Sequence, residues 1–142
     1  MTNVATNRGL LFMGADLSRP RMAVESEKIK RYFPDFAFKG SKGTVTSVEG
    51  YLKTADGNYY YVKIEVPEDY PYTMPRIKLP ETAIDSACPH RYSSGNLCVM
   101  KPEQWSSSYS LAFMVAKAAI WVNKYDVWKR TGRWAGKQQE HQ

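Results

Sequence analysis

Cysteine and histidine are scarce in this chain, with two of each among 142 residues. Cys88 and Cys98 are too few for a disulfide framework and form no C-x-x-C zinc pattern, so a reducing cytoplasm is the expected compartment. Their ten-residue spacing would let a loop bring them together as a redox pair, although Cys88 reads more simply as a small buried residue. Two histidines and scattered acids offer no metal site, and no G-x-x-x-x-G-K-[ST] segment is present to cradle ATP. Neither a metal nor an organic cofactor is therefore expected. Long apolar runs are also missing. The longest candidate, Leu111 to Val122, is broken by Lys117 and too short to span a bilayer. Gly9 to Ala15 behind the single Arg8 makes a poor signal peptide. Internal repeats and low-complexity stretches are absent.

What is present fits one domain over 1–142, with 1–17 as an irregular N-terminal segment. An apolar fraction of 43% with 13% aromatics is that of a globular chain. The net charge of +6 comes from 20 basic and 14 acidic residues. The basic residues are spread, densest near Arg19 to Arg31 and Lys124 to Lys137. That distribution suits solvated helix faces or an acidic protein partner. With no helix-turn-helix, zinc or RNA-binding motif beside it, nucleic acid is not an expected partner. A membrane is not expected either.

The spacing predicts a helix over 18–33, with Ser18 as N-cap, Pro20 in its first turn, and a stripe of Met22, Ala23, Ile29, Tyr32 and Phe33. Thr44 to Lys53 and Tyr59 to Val66 read as an antiparallel hairpin around the Asp56-Gly57 turn. Tyr60, Val62, Ile64 and Val66 share one face of it. Pro67, Pro71 and Pro75 exclude helix and frame a rigid passage. A short strand, Arg76 to Leu79, follows. Residues 81–108 read as a long irregular loop, and loops of such length tend to be functional. A final helix starts after Ser108 or Ser110. Leu111, Met114, Val115, Ala118, Ala119, Val122, Tyr125 and Trp128 recur at helical spacing, and Thr131-Gly132 makes its C-cap. The fold class is α+β.

Cys98 closes the most informative stretch, Cys88-Pro89-His90-Arg91-Tyr92-Ser93-Ser94-Gly95-Asn96-Leu97-Cys98, with Trp105 seven residues on. A lone cysteine most often serves as a small core hydrophobe. A glycine-turned loop can instead present it as a nucleophile, and a thiolate attacks acyl and thioester carbons.

The order of elements and the central half of the chain, roughly residues 43–125, resemble the ubiquitin-conjugating enzymes. Tyr70-Pro71-Tyr72-Thr73-Met74-Pro75 is similar to the family's Tyr-Pro-Phe passage. Gly95-Asn96-Leu97-Cys98 is similar to its Gly-x-Ile-Cys segment, and Trp105-Ser106-Ser107 to its Trp-Ser-Pro. Cys88-Pro89-His90 occupies the register of His-Pro-Asn, with His90 where the family has its functional asparagine. The tail, with Trp121, Trp128, Trp134 and His141, resembles compact bacterial relatives in antiphage operons of the CBASS type, which encode cyclic-oligonucleotide synthases. The further C-terminal helices of eukaryotic members have no expected counterpart.

The resemblance implies a fold of N-terminal helix, antiparallel meander, long active-site loop and one long C-terminal helix. It implies a cysteine acyltransferase that holds an activated protein C-terminus as a thioester on Cys98 and passes it to an amine. The acyl donor would be a ubiquitin-like protein or the cyclic-oligonucleotide synthase, activated by a separate enzyme or domain. His90 would then donate to the developing oxyanion or take a proton from the amine, or else brace the loop. Trp105 would pack under or beside the nucleophile loop, its indole N–H on a loop carbonyl. Tyr92 and Tyr109 are either walls of a channel for the donor's tail or core residues. Asp85 could orient an amine. His141 reads as a surface residue, and Ser106 to Ser108 as loop and cap residues. The three tail tryptophans read as helix docking, with Trp134 tacking down the end. Two other readings keep the fold: a non-catalytic binding module, and a thiol hydrolase in which His90 activates Cys98.

Overall fold

A computed structural model describes residues 8–13, 19–90 and 96–136. The elements are α1 (Arg8–Leu11), α2 (Arg21–Tyr32), β1 (Ala37–Ser41), β2 (Thr44–Lys53), β3 (Tyr59–Glu65), β4 (Arg76–Lys78) and α3 (Leu111–Thr131). The four strands form one antiparallel meander in the order β1-β2-β3-β4, so the α+β class holds. No helix among the described residues is long and apolar enough to cross a membrane.

The expected hairpin is β2 with β3, in register from Ser47 opposite Glu65 to Lys53 opposite Tyr59. At the turn, Gly57 takes φ +88° and Thr54 N–H bonds Asn58 O at 2.8 Å. Strand β1 was not legible. Ala-Phe-Lys-Gly-Ser lacks a β-branched run, and its hairpin turns on Lys42-Gly43 rather than an Asn-Gly pair. Both turn residues have positive φ, 52° and 78°, the primed geometry that matches strand twist. The register shifts between Lys39 and Gly40. A Cβ on Gly40 would lie 1.9 Å from Thr44 O, so only glycine fits this bulge.

The first helix is shorter than expected. It begins at Arg21, with Pro20 in extended conformation at the cap position, while Ser18 lies outside the described residues. Ala23 is exposed and the buried line runs through Glu25 and Ile29. The segment read as irregular contains the turn of α1, whose Leu10 is buried.

Helix α3 starts on Ser110, whose Oγ accepts Phe113 N–H at 3.0 Å, and ends on Gly132 at φ 76°. It packs on β2, β3 and α2. Leu111, Met114, Val115, Ala118, Val122 and Tyr125 are buried as expected, and so are Ala112, Phe113, Ala116 and Trp121. A helix apolar on more than one side is covered on more than one side. Its first face meets the sheet residues Val48, Leu52, Tyr60, Val62, Ile64 and Ile77 in one core. Burying each such aliphatic side chain stabilises the fold by about 1.5–3 kcal/mol. Trp121 faces the segment that carries His90.

Between β4 and α3 the chain is less irregular than expected. Two 3-10 turns, Glu81–Ala83 and Pro102–Gln104, interrupt it. Asp85 is exposed, its N–H on Tyr125 Oη at 2.8 Å and its carboxylate accepting Ala87 N–H.

A polar knot ties α2 to the start of α3. Glu25 is fully buried. Its Oε1 accepts Leu111 N–H at 2.9 Å, and its Oε2 accepts Arg21 Nε–H at 3.1 Å and the Tyr70 hydroxyl. Arg21 also donates to Ser107 O and Tyr109 O, both at 2.6 Å. The carboxylate thus satisfies the first open N–H of α3, where the helix end favours negative charge. Burial, then the neighbouring Glu25 charge, raises the Tyr70 phenol above its ordinary range.

Candidate active site

The segment Asn96 to Met100 is held from two sides. Leu97 N–H bonds Ile77 O of the edge strand β4 at 2.9 Å, and Cys98 N–H bonds His90 O at 2.9 Å. Trp121 Nε1–H also donates to His90 O, at 3.1 Å. One carbonyl therefore pins both the Cys98 backbone and the second face of α3. His90 does this at φ 63°, a left-handed backbone that non-glycine residues adopt seldom. Its neighbours over-determine that conformation: the ring of Trp134 lies 4.7 Å from the imidazole, and Trp134 in turn packs 5.2 Å from Trp121.

Cys98 and His90 open on one small cavity of about 110 Å³, lined also by Val99, Lys117, Ile120, Trp121, Lys124 and Trp134. Cys98 is 4% exposed and His90 8%. Neither cysteine is joined in a disulfide, and Cys88 Sγ lies 3.2 Å from Pro89 O. Lys117, Trp121 and Lys124 follow one another at spacings of four and three along α3, so they share a face. Burial, followed by the repulsion of Lys124, lowers the Lys117 ammonium below its ordinary range. The chain after α3 folds back over this face: a Cβ on Gly136 would come within 3.1 Å of Lys124 Nζ.

The structure brings together Cys98 and His90 but sets Trp105 and Tyr109 in a different cluster. Trp105 Nε1–H donates to Pro71 O at 2.8 Å, after the cis Tyr70–Pro71 bond. Its ring packs 6.2 Å from Tyr70 and 5.6 Å from Tyr109, which continues to Phe113 at 4.7 Å and Phe12 at 5.8 Å. Trp105 thus braces the proline passage against the turn before α3. Neither it nor Tyr109 lines the Cys98 cavity. Tyr92 lies outside the described residues, as do Gly95 and His141.

Lys117 and Lys124 carried no sequence signal that tied them to Cys98, and Trp134 was read only as tacking down the end of the chain. Lys117 read only as a break in the apolar run from Leu111 to Val122, and Lys124 as part of a basic, solvated helix face. Trp134 sits beyond the C-cap, in a stretch with no periodicity. The signal that could have found this face is Ile120 and Trp121, apolar residues of α3 that stand outside the stripe of Leu111, Met114, Val115, Ala118, Val122 and Tyr125.

The family model for the type II CBASS E2 protein matches residues 25–142, from α2 through the tail. The chain belongs to this family. No curated protein matches it. As a type II CBASS E2 protein it is a compact bacterial relative of the ubiquitin-conjugating enzymes with an E2-like role in CBASS antiphage defence. Such a protein works with other CBASS proteins. The match takes in both the central half, roughly residues 43–125, and the tail with Trp134, the two stretches that carried the resemblance.

Proposed function

We propose that this CBASS E2 protein carries an activated protein C-terminus as a thioester on Cys98 and passes it to an amine. The donor in this reading is the cyclic-oligonucleotide synthase of the operon or a ubiquitin-like protein, activated by a separate enzyme. The observation that carries the reading is the shared cavity. In a chain of this family, the one cysteine of the Gly-Asn-Leu-Cys segment opens on the same small space as a histidine and two lysines.

The chemistry balances with protein groups alone. The Cys98 thiolate attacks the activated carbonyl, a tetrahedral oxyanion forms, and the activating group leaves with the bonding electrons. An amine then attacks the thioester, the C–S bond breaks, and the amine's proton passes to a base or to the departing sulfur. In this reading His90 donates to the oxyanion, accepts the proton or braces the loop, in the register where the eukaryotic family has asparagine.

A trap tests the proposal. The Cys98→Ser variant, incubated with the co-encoded synthase, its activating protein and ATP, should accumulate an ester that resists thiol reductants and maps to position 98. Unmodified protein under conditions that load the wild type would overturn it. The 4% exposure of Cys98 favours a second reading, a non-catalytic module of the same fold. That reading predicts a thiol inert to alkylation in the native protein.

A further inference from the structure

Strand alternation sends every second side chain of the sheet away from α3. Val48, Val62 and Ile77 face the core, and the register fixes what stands on the outer face. Lys39, Ser47, Glu65 and Arg76 make one row across it, and Glu49, Lys63 and Lys78 the next. Beyond them Tyr51 stands beside Tyr61, and Lys53 beside Tyr59. The described helices lie on the other side: α3 contacts β2 and β3, and α1 and α2 contact α3. Tyr51 and Tyr59 are left 60% and 63% exposed. Neighbouring rings held in water form the kind of patch that marks an interaction site.

Basic residues that are dispersed along the chain meet on this face. Lys39, Lys53, Lys63, Arg76 and Lys78 share its rows with two carboxylates, Glu49 and Glu65, and both are engaged. Glu65 pairs with Lys78 at 3.4 Å. Glu49 accepts the Tyr61 hydroxyl at 2.7 Å and the Ser47 hydroxyl. Those two bonds, and behind them the Lys63 and Lys39 charges, hold its carboxyl below the ordinary range. Glu49 therefore anchors Tyr61, which meets Tyr51 edge to face at 5.0 Å. Lys53 Nζ lies 5.6 Å from the centre of the Tyr59 ring. From this juxtaposition we infer that the outer sheet face binds a linear single-stranded oligonucleotide, with bases stacked on Tyr51 and Tyr59 and phosphates on the lysines beside them. An acidic peptide would answer the cations and leave the rings unused. A nucleic acid strand answers both, because every base has a flat π-face. Tyr59 lies opposite Lys53, two residues beyond Tyr51, and such diagonal neighbours stand about 7–8 Å apart. That is about twice the 3.4 Å spacing of a stacked strand, so the rings take splayed bases and not a closed duplex. Helix α3 separates this face from the Cys98 cavity. A bound strand thus leaves the cysteine open, and the inference does not depend on the thioester reading.

Fluorescence anisotropy of the full-length protein with a fluorescein-labelled oligothymidylate of about ten nucleotides tests it, titrated over a range of salt. Affinity should fall as salt rises. Tyr51→Ala and Tyr59→Ala should each weaken binding about tenfold at fixed salt and leave the slope of log affinity against log salt unchanged. Tyr51→Phe keeps the ring and should bind as wild type. Lys63→Gln should make that slope shallower by about 0.7. Should Tyr51→Ala lower the urea midpoint, Tyr51→Leu, apolar but without a flat ring, takes its place. No binding at low salt would overturn the inference, and so would an affinity that survives both tyrosine substitutions. Equal affinity for a duplex of the same length, or for a polyglutamate peptide of the same charge, would overturn it too, since each offers charge without stacking.

Discussion

Replacing Glu25 by alanine should cost this fold more than any single surface change. The side chain is fully buried and receives three hydrogen bonds, from Leu111 N, Arg21 Nε and the Tyr70 hydroxyl. Removing it strands the Arg21 charge, one phenol and one helix-terminal N–H, and it leaves a void. Breaking a buried charge pair by deleting one partner costs about 3–5 kcal/mol. Arg21 keeps its bonds to Ser107 O and Tyr109 O and is itself partly exposed, which places the expected loss near the lower bound, about 3 kcal/mol. A domain of this kind has about 5–15 kcal/mol in all. Glu25→Gln keeps an acceptor for Leu111 N–H and fills the space, so it should lose about 1.5–3 kcal/mol, the range for hydrogen bonds to a charged group. Urea unfolding followed by circular dichroism measures both, provided the slope with urea stays constant. A loss under about 1 kcal/mol for Glu25→Ala would refute the claim that this carboxylate ties α2 to α3.

Alkaline pH should loosen the fold through Tyr60 and Tyr70. Burial raises both phenols, seconded by the Asp126 hydrogen bond at Tyr60 and the Glu25 charge at Tyr70. A group raised in the folded state contributes stability that is complete below its unfolded value, here the ordinary 10.0, and is lost as pH rises past it. The urea midpoint should fall above about pH 10, and Tyr60→Phe should make the fall shallower; an unchanged slope in that variant would refute the assignment. Trp134→Ala removes the ring that packs on His90 and Trp121. It should speed alkylation of Cys98 by iodoacetamide about tenfold, equivalent to about 1.4 kcal/mol less opening free energy. An unchanged rate would show that Trp134 does not guard the cavity.

Local chemistry was the legible part of this fold. Asp56-Gly57 announced the β2–β3 hairpin, Ser110 and Gly132 bounded α3, and alternation put Tyr60, Val62 and Ile64 inside. Strand β1 escaped because its residues have little β preference and its edge position buries little. Buried Glu25 escaped because pattern reading treats a charged helix residue as solvated. In the site, Cys98 and His90 were marked by segment order, which survives in sequence. Trp134, Lys117 and Lys124 were not: Trp134 reaches the cavity only after the chain turns at Gly132 and folds back along α3, and the two lysines meet Cys98 only once its segment packs against that helix. Such a meeting is long-range, and no spacing within one element encodes it. Trp105 shows the converse: a residue singled out by motif order finds its indole partner at Pro71, outside the cysteine's cavity.

The proposed thioester sits on Cys98 and not on Cys88. The direct measurement is the intact mass of wild type, Cys88→Ala and Cys98→Ala after incubation with a peptide thioester of the co-encoded synthase's C-terminus, before and after dithiothreitol. A thioester on Cys98 gives a single reductant-sensitive peptide adduct on wild type and Cys88→Ala and none on Cys98→Ala. An adduct that persists in Cys98→Ala, or a wild type that takes none, would contradict it.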